Sequence, residues 1–290
     1  MPFPRTKAIS RASAYVRTPW TDLAAKVHGE RSDDDEKLPI DFERLAKLGY
    51  ITPATIEADI ARDFSMVKRR LFRRLCFFGP EIEEGRPFGG RRCPIVLLTS
   101  GNPGEGKTFS SINFALSLAI EEQLNVLLID ADLAKPSVPH VIGFPYRKRG
   151  LFDCMSDRSL DLDDVILKFE QISLSVMPAG EATVAPSSML GGEEMKDLIH
   201  RITSLNRYDM LVLDGPPLLA TTEAAVLARH ADEIVLVVGA GDATSTQLNA
   251  SLDLLDVTSD KVSLMLNRAV LSDRSAALYG YHYAAEGVSA

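Results

Sequence analysis

The sequence lacks the features that mark secreted, zinc-binding and membrane-spanning proteins. Its 290 residues include three cysteines, Cys76, Cys93 and Cys154, without a CxxC pair, which argues against a disulfide scaffold or a zinc site. No stretch approaches the ~18 uninterrupted apolar residues that a membrane span needs, and the first 13 residues have no apolar core of the signal-peptide type. We therefore predict a cytoplasmic protein that reaches a membrane only through another molecule.

Positive charge is also in short supply. The formal net charge is −8, which makes the whole molecule a poor candidate for a nucleic-acid binder. The 46% hydrophobic and 25% charged residues are an ordinary globular balance. The length suits one large α/β domain with appendages, or two small domains.

The N-terminal part divides into a polar stretch and a helical segment. Residues 1–38 are polar, carry the acidic run at positions 33–36 and show no sustained periodicity, so we predict disorder there. Residues 39–90 are predicted to form a helical segment, in which Phe42, Leu45 and Leu48 recur at helical spacing before Gly49. A linker rich in glycine, proline and charge follows at 79–92.

A second helix is predicted to begin at Thr52 and Pro53, a helix cap followed by proline at the first helical position. Its apolar face consists of Ile56, Ile60, Val67, Leu71 and Leu75. Its other face is basic and consists of Lys68, Arg69, Arg70, Arg73 and Arg74. A solvated face and a contact with acidic lipid or an acidic subunit are both open interpretations.

From residue 91 onward, short apolar runs alternate with helical segments. The runs are Ile95–Thr99, Val126–Ile129, Leu174–Met177, Met210–Leu213, Ile234–Val238 and Val262–Leu266. Such continuous apolar runs are typical of strands covered on both faces. We therefore predict a doubly wound, mostly parallel α/β domain over residues 91–272, followed by a short tail over 273–290.

A phosphate-binding loop follows the first of these strands. Gly101, Gly106, Lys107 and Thr108 form GxxxxGK[ST] between a predicted strand and a predicted helix, which is the context that the motif requires. The glycines let backbone N–H groups point at phosphates, Lys107 reaches the β- and γ-phosphates, and the Thr108 hydroxyl can ligate Mg²⁺. This is the strongest signal in the chain, and it predicts ATP and Mg²⁺ as cofactors.

Acidic residues end two further strands. Asp130 and Asp132 follow one strand and Asp214 follows another, at the sheet edge where open α/β sheets bind ligands. Asp214 is the predicted metal-binding acid, together with Thr108 and Asp132. Asp130 and Asp132 are candidates for activating an attacking hydroxyl, and the sequence leaves their roles open. Asn267, beyond the last strand, is a candidate adenine contact, although a turn residue is almost as good an interpretation.

Together these motifs resemble the bacterial tyrosine kinase family. The phosphate loop resembles SxxPxEGKT, residues 130–136 resemble the family's DxDxRxP box, and residues 214–217 resemble its DxPP stretch. Residues 40–53 are similar to the leader of soluble members associated with exosortase and polysaccharide gene clusters. The nucleotide contacts predicted on this basis are Gly101, Asn102, Pro103, Gly104, Glu105, Gly106, Lys107, Thr108, Phe109 and Asn267, with Lys107, Asp130 and Asp132 as the catalytic residues.

The resemblance implies an autokinase that phosphorylates its own C-terminal tyrosines and regulates exopolysaccharide synthesis or export. Tyr279, Tyr281 and Tyr283 are the predicted acceptors, with docking of the tail onto the body as the alternative. The family implies a membrane-embedded chain-length regulator as partner, self-association in a ring or dimer, a cognate phosphatase, and a location peripheral to the inner membrane.

The chain departs from the family pattern at two places. Ala134 stands where the family usually has arginine, and the helix that carries ExxRxxR in relatives reads Arg62, Asp63, Ser65, Lys68 and Arg69 here. These departures keep open a nucleotide-dependent scaffold without kinase activity. A second alternative is a dimeric ATPase of the related partition or positioning class. The absence of a second lysine early in the phosphate loop and the tyrosine tail favour the kinase.

Overall fold

The computed structural model of the chain describes residues 38–75, 93–144, 149–181 and 187–269. Disorder was predicted for residues 1–38; residues 1–37 lie outside the described residues, and Leu38 forms a parallel bridge with Phe169. The linker at 79–92 and the C-terminal tail with its three tyrosines also lie outside the described residues.

Within these ranges the chain forms one seven-stranded sheet. The strands are β1 (Ile95–Ser100), β2 (Val126–Asp130), β3 (Leu167–Lys168), β4 (Leu174–Met177), β5 (Met210–Asp214), β6 (Glu233–Gly239) and β7 (Val262–Asn267). Their spatial order is β3-β4-β2-β5-β1-β6-β7, and every neighbouring pair is parallel except β3 with β4. The six predicted strands are confirmed. The two-residue β3 was missed because it is too short to leave a pattern.

The helices flank this sheet. They are α1 (Phe42–Lys47), α2 (Asp59–Arg74), α3 (Lys107–Glu121), α4 (Val138–Ile142), α5 (Leu151–Ser156), α6 (Ser187–Leu190), α7 (Glu193–Ser204), α8 (Glu223–Leu227) and α9 (Ser245–Leu254). Within the described ranges, no helix has the length and apolar composition to cross a bilayer.

Each face of the sheet carries its own hydrophobic core. Side chains alternate along β1, so that Val96 and Leu98 enter one core while Ile95 and Leu97 enter the other. The first core contains α1, α2 and α3, and the second contains α5, α7 and α8. The doubly wound fold is thus confirmed, with the N-terminal segment packed on the α3 side.

The second helix begins later than predicted. Pro53 lies in a turn, and α2 starts at Asp59 after Ala58. The Thr52 N–H donates to the Thr55 hydroxyl over 2.8 Å, a local bond that competes with helix formation. Ile56 therefore precedes the helix and is 44% exposed. The buried face of α2 is formed by Ala61, Phe64, Lys68, Leu71 and Phe72.

The prediction that Lys68 belongs to the exposed basic face is therefore wrong, since Lys68 lies on the buried face of α2. Its side chain is 1% exposed, and its Nζ lies 3.0 Å from both Glu121 Oε2 and Glu122 Oε1. Arg74 is also partly withdrawn from solvent, because its Nε lies 2.8 Å from Oε1 of the buried Glu233. Both cations fasten α2 to the body of the domain.

Candidate functional site

The phosphate loop presents a row of unused backbone donors. It runs from the end of β1 to the start of α3, and positive φ angles of 90° and 96° at Gly104 and Gly106 turn the chain, a conformation that glycine adopts without a Cβ clash. Within the described residues, the N–H groups of 104–108 donate to no acceptor. They surround the N-terminus of α3, where the helix dipole adds positive potential. The loop is shaped to bind an anion.

Side chains from the loop and from the ends of neighbouring elements hold it in this form. The Ser100 hydroxyl donates to the Asn102 carbonyl over 2.8 Å, and the Asn102 N–H donates to Glu105 Oε2 over 2.8 Å. Asn267 Nδ2 donates to the Glu105 carbonyl over 2.9 Å, and Arg268 donates to the Gly104 carbonyl. The carbonyls of Asn102, Gly104 and Glu105 are thereby occupied. The N–H groups, which find no acceptor among the described residues, form the open polar face of the loop.

Lys107, the predicted catalytic cation, is buried and paired. Its Nζ lies 2.7 Å from Asp132 Oδ2 and 3.4 Å from the Thr108 hydroxyl. Burial lowers the pKa of Lys107, but Asp214, Asp132 and Asp130 more than compensate and raise it above its usual value. The lysine is therefore charged at neutral pH and lies directly beside the loop.

Asp214 receives two hydroxyl groups from α3. Thr108 donates to Oδ2 over 2.7 Å, and Ser111 donates to Oδ1 over 2.9 Å. Burial raises the pKa of Asp214, while Lys107 and the two hydroxyls act in the opposite direction. Ser111 was missed from the sequence. Its position one turn after Lys107 on the same helix was the available signal.

Asp130 lies beside Asp214 in the register of β2 and β5. Its Oδ2 accepts the N–H groups of Ser137 and Val138, both over 2.9 Å. Its Oδ1 is buried and has no hydrogen-bond partner among the described residues. Burial, with the charge of Asp214 second, raises the pKa of Asp130 to about 7. This carboxyl can therefore take up or release a proton near neutral pH.

Three carboxyl groups thus converge on one lysine and one threonine. Asp130, Asp132 and Asp214 are each less than 5% exposed, and such crowding is costly unless a cation or a proton compensates. The sequence predicted this convergence. Which of the acids ligates a metal ion and which accepts a proton stays a prediction.

A fourth buried acid, Glu223, was missed. It starts α8 and is 6% exposed, and its Oε2 has no partner in the described part of the chain. Burial and the charge of Asp132 raise its pKa. A glutamate at the first position of a helix is ordinary helix chemistry, so nothing in the sequence distinguished it.

Phe109 and Asn267, which were also predicted to contact the nucleotide, have other partners in this structure. The Phe109 ring lies 5.0 Å from the Tyr50 ring between centroids, facing the N-terminal segment. The Asn267 amide is engaged with the loop carbonyl, so its contact with adenine stays a prediction. Asn102, Pro103 and Gly104 lie on the partly exposed rim of the loop.

Residues 93–266 match a ParA family model described as NUBPL iron-transfer P-loop NTPase. The tyrosine-protein kinase YwqD of Bacillus subtilis (strain 168) is 32% identical over 193 residues, which span 66% of this chain and 78% of that protein. The tyrosine-protein kinase CpsD of Streptococcus agalactiae is 29% identical over 194 residues, spanning 67% and 82%. The crystal structure of the VpsO kinase domain is 28% identical with a TM-score of 0.56, and the match covers 71% of this chain and 99% of that one.

Proposed function

This chain belongs to the bacterial tyrosine-protein kinases and carries a ParA-type P-loop NTPase domain, and from that membership we propose that it is an ATP-dependent tyrosine autokinase. Its acceptors are its own C-terminal tyrosines, and its phosphorylation state regulates exopolysaccharide synthesis or export. P-loop membership implies nucleotide binding.

One observation carries the proposal: the loop N–H groups, the Lys107 ammonium and the Thr108 hydroxyl lie together at the N-terminus of α3. Lys107 is held 2.7 Å from Asp132, so it is charged and positioned before any nucleotide arrives. A triphosphate would receive the loop N–H groups along its length, with Lys107 at its β- and γ-phosphates. Because phosphoryl transfer depends mostly on positioning and charge stabilisation, this arrangement supports transfer of the γ-phosphate.

The chemistry of the donor set fits Mg²⁺. The ion prefers oxygen ligands and is usually held by one or two carboxylates plus phosphates. The Thr108 hydroxyl and Asp214 Oδ2 are oxygens only 2.7 Å apart, and Asp132 Oδ2 lies 2.7 Å from Lys107 Nζ. We assign Thr108, Asp214 and Asp132 to hold it. When bound, Mg²⁺ stabilises the negative charge that develops on the phosphates.

Asp130 is the residue that we assign to accept the proton of the attacking hydroxyl. A general base works best with a pKa near the working pH, and the pKa of Asp130 is about 7. Its Oδ1 is not committed to any partner within the described residues. Asp132, by contrast, is ion-paired with Lys107 through Oδ2 and accepts the Lys135 N–H at Oδ1. These contacts favour its charged form, which suits a metal ligand better than a proton acceptor.

The acceptor tyrosines, Tyr279, Tyr281 and Tyr283, lie outside the described residues. Each phosphate added there carries about two negative charges near neutral pH. In a ring or dimer of this acidic chain, such charge weakens packing between copies. We further propose a membrane-embedded chain-length regulator as activating partner, a cognate phosphatase, and a position at the inner membrane.

The partition-type ATPase is the second candidate, and the ParA model match is what favours it. That match describes a nucleotide-binding domain common to both candidates. The kinase relatives YwqD and CpsD favour the first candidate, as does the cluster of tyrosines near the C-terminus.

The test is phosphosite mapping by mass spectrometry after incubation of the full chain with Mg-ATP. It is run with and without the cytoplasmic segment of a candidate membrane partner, with Lys107→Met as the blank. We expect phosphate on Tyr279, Tyr281 or Tyr283, lost in the blank and in the triple Tyr→Phe variant. ATP binding without phosphotyrosine under either condition would falsify the kinase assignment.

A further inference from the structure

One face of α2 is a row of arginines that the fold does not use. Arg62, Met66, Arg69 and Arg73 recur at intervals of four, three and four residues, which places them on one side of the helix. Arg70 lies next to this row. All four arginines are exposed, and Met66 is 39% exposed at the centre. We call these five residues the arginine face.

The opposite side of α2 fixes the orientation of this face. Lys68 is anchored between Glu121 and Glu122 at 3.0 Å each, and Phe64 is 2% exposed in the core. Arg74 is fastened to Glu233 at 2.8 Å. The helix cannot turn about its axis without breaking these contacts, so the arginine face points permanently outward.

The arginine face has little acidic compensation. Arg62 pairs with Asp59 at 3.2 Å, with both side chains more than 70% exposed, a contact of small energetic weight. Arg69, Arg70 and Arg73 form no ion pair with any other described residue. This local excess of positive charge stands out in a chain whose net charge is −8.

The sequence led us to expect that the chain reaches a membrane only through another molecule; from the structure we propose instead that the arginine face also binds directly to the surface of an anionic lipid bilayer. Guanidinium groups bind phosphate oxygens through paired hydrogen bonds, and basic residues near an anionic membrane each add to the attraction. Met66 gives the centre of the face an apolar side chain that can enter the interface between headgroups and acyl chains. The remaining acidic surface is repelled by the same membrane, which orients the domain with α2 toward it.

The shape and composition of the face favour lipid over other anionic partners. A single convex helix row of 12 residues extends about 18 Å, and it offers no groove that would follow a nucleic-acid backbone. A central methionine gains nothing from a row of phosphates alone. The contact is independent of kinase chemistry, since α2 carries none of the nucleotide-site residues.

The test is co-sedimentation of the full chain with vesicles of phosphatidylcholine alone or with one quarter phosphatidylglycerol, at low and high salt. The charge variant is Arg69→Gln/Arg70→Gln/Arg73→Gln. A matched control removes three exposed cations elsewhere: Lys47→Gln/Arg158→Gln/Lys196→Gln. We expect partitioning onto anionic vesicles only, weakened by salt. At about fivefold per arginine, the charge variant should bind about 100-fold more weakly, and the control should lose far less.

A second measurement reports on insertion rather than charge. In Met66→Trp, the indole emission should shift to the blue on anionic vesicles and stay unchanged on neutral ones. Melting temperature and ATP binding check that both variants are folded. Equal loss in the control triple, no sedimentation of the wild type, or no shift in Met66→Trp would overturn the proposal. Arginine-dependent binding to a DNA duplex or self-association, without vesicle binding, would overturn it in favour of those partners.

Discussion

A buried lysine lies at each end of helix α3, and the two are used in opposite ways. Lys107 begins the helix and pairs with Asp132 at 2.7 Å. Lys68 reaches the other end from α2, pairs with Glu121 and Glu122, and donates to the Ser117 carbonyl over 3.4 Å. The helix dipole favours a cation at the C-terminus and opposes one at the N-terminus. Lys68 is thus where local electrostatics favour it, and Lys107 is not.

The polar groups around the two lysines also differ in how many hydrogen-bond partners they have. Near Lys107, the loop N–H groups have no acceptor among the described residues, and Asp130 keeps an unpaired oxygen. Near Lys68, the lysine and the nearby Ser65 hydroxyl both bind the acids at the helix end. The loop end of α3 presents a row of N–H groups without an acceptor among the described residues and is arranged for a ligand. At the far end a single buried oxygen, Glu121 Oε1, lacks a partner among those residues, and the ion pairs of Lys68 fasten the N-terminal segment.

Lys107→Met should give the largest effect. Removing the cation that contacts the β- and γ-phosphates should lower the rate of tyrosine phosphorylation by about 10²- to 10³-fold. The rate is measured with the full chain and Mg-ATP, and the melting temperature verifies folding at neutral pH. Lys68→Met is the matched control, with a rate per folded molecule within about twofold of wild type. Similar losses in the two variants would erase the distinction between the two ends of α3.

Lys68→Met should instead lower stability. Removing one partner of a buried ion pair costs about 3–5 kcal/mol. We expect a smaller loss, about 2–3 kcal/mol, because the two glutamate side chains are 21% and 38% exposed and keep some hydration. Urea unfolding measures this change.

Adding Glu121→Gln and Glu122→Gln to Lys68→Met should recover part of the loss, since it removes the acids left without a cation. A Lys68→Met variant as stable as wild type would show that the buried pair does not fasten α2.

Asp130→Asn should change how stability depends on pH. The folded-state pKa of Asp130 is about 7, raised from 3.8 mainly by burial. Between these values the folded chain binds a proton that the unfolded chain has released. Asp130 therefore stabilises the fold at low pH, and this contribution is lost as pH rises toward 7. Its limiting slope is about 1.4 kcal/mol per pH unit.

Other acids titrate in the same range, so the informative quantity is the difference between wild type and Asp130→Asn. In nucleotide-free protein, the variant should gain stability relative to wild type as pH rises from 5 to 8, measured by urea unfolding at each pH. Parallel pH profiles for the two proteins would mean that Asp130 is ionised throughout.

The sequence was sufficient to predict the strands and the motifs at their ends. It was not sufficient to predict how the N-terminal segment packs. Long buried strands such as Val126–Asp130 carry an unmistakable apolar run, and a motif such as Gly101–Thr108 fixes both a loop and its neighbours. The predicted start of α2 was wrong because the Thr55 hydroxyl accepts the Thr52 N–H and so satisfies the backbone of a turn. The preference of proline for the first helical position takes no account of such a bond. The prediction that Lys68 belongs to the exposed basic face was wrong because its burial depends on two glutamates that lie more than 50 residues away in the chain.

The candidate site was predictable to the same degree. The motifs identified Lys107, Asp130, Asp132 and Asp214, because strand ends in a parallel sheet converge. The partners of each residue were not predictable, since hydrogen bonds such as that from Ser111 to Asp214 depend on atomic distances. Glu223 shows this most clearly, because the lack of a partner for its Oε2 among the described residues is a property of the packed structure alone.

The smallest effect is expected at Asn267, and it separates two roles. In this structure the Asn267 amide donates to the Glu105 carbonyl, whereas the sequence predicted an adenine contact. Loss of one such hydrogen bond costs about 1 kcal/mol, so Asn267→Ala should weaken ATP binding about fivefold, measured by calorimetry. If the residue only holds the loop, inorganic triphosphate loses the same factor as ATP. If it also contacts the base, ATP loses more.

Ser65→Ala is the matched control, because it removes a comparable 3.0 Å bond to Glu121 at the far end of α3. This variant should lower stability by a similar amount and leave the affinities for ATP and for triphosphate unchanged. An effect of Ser65→Ala on ATP affinity would mean that the two ends of the helix are coupled, and that the fastening of α2 tunes the phosphate loop.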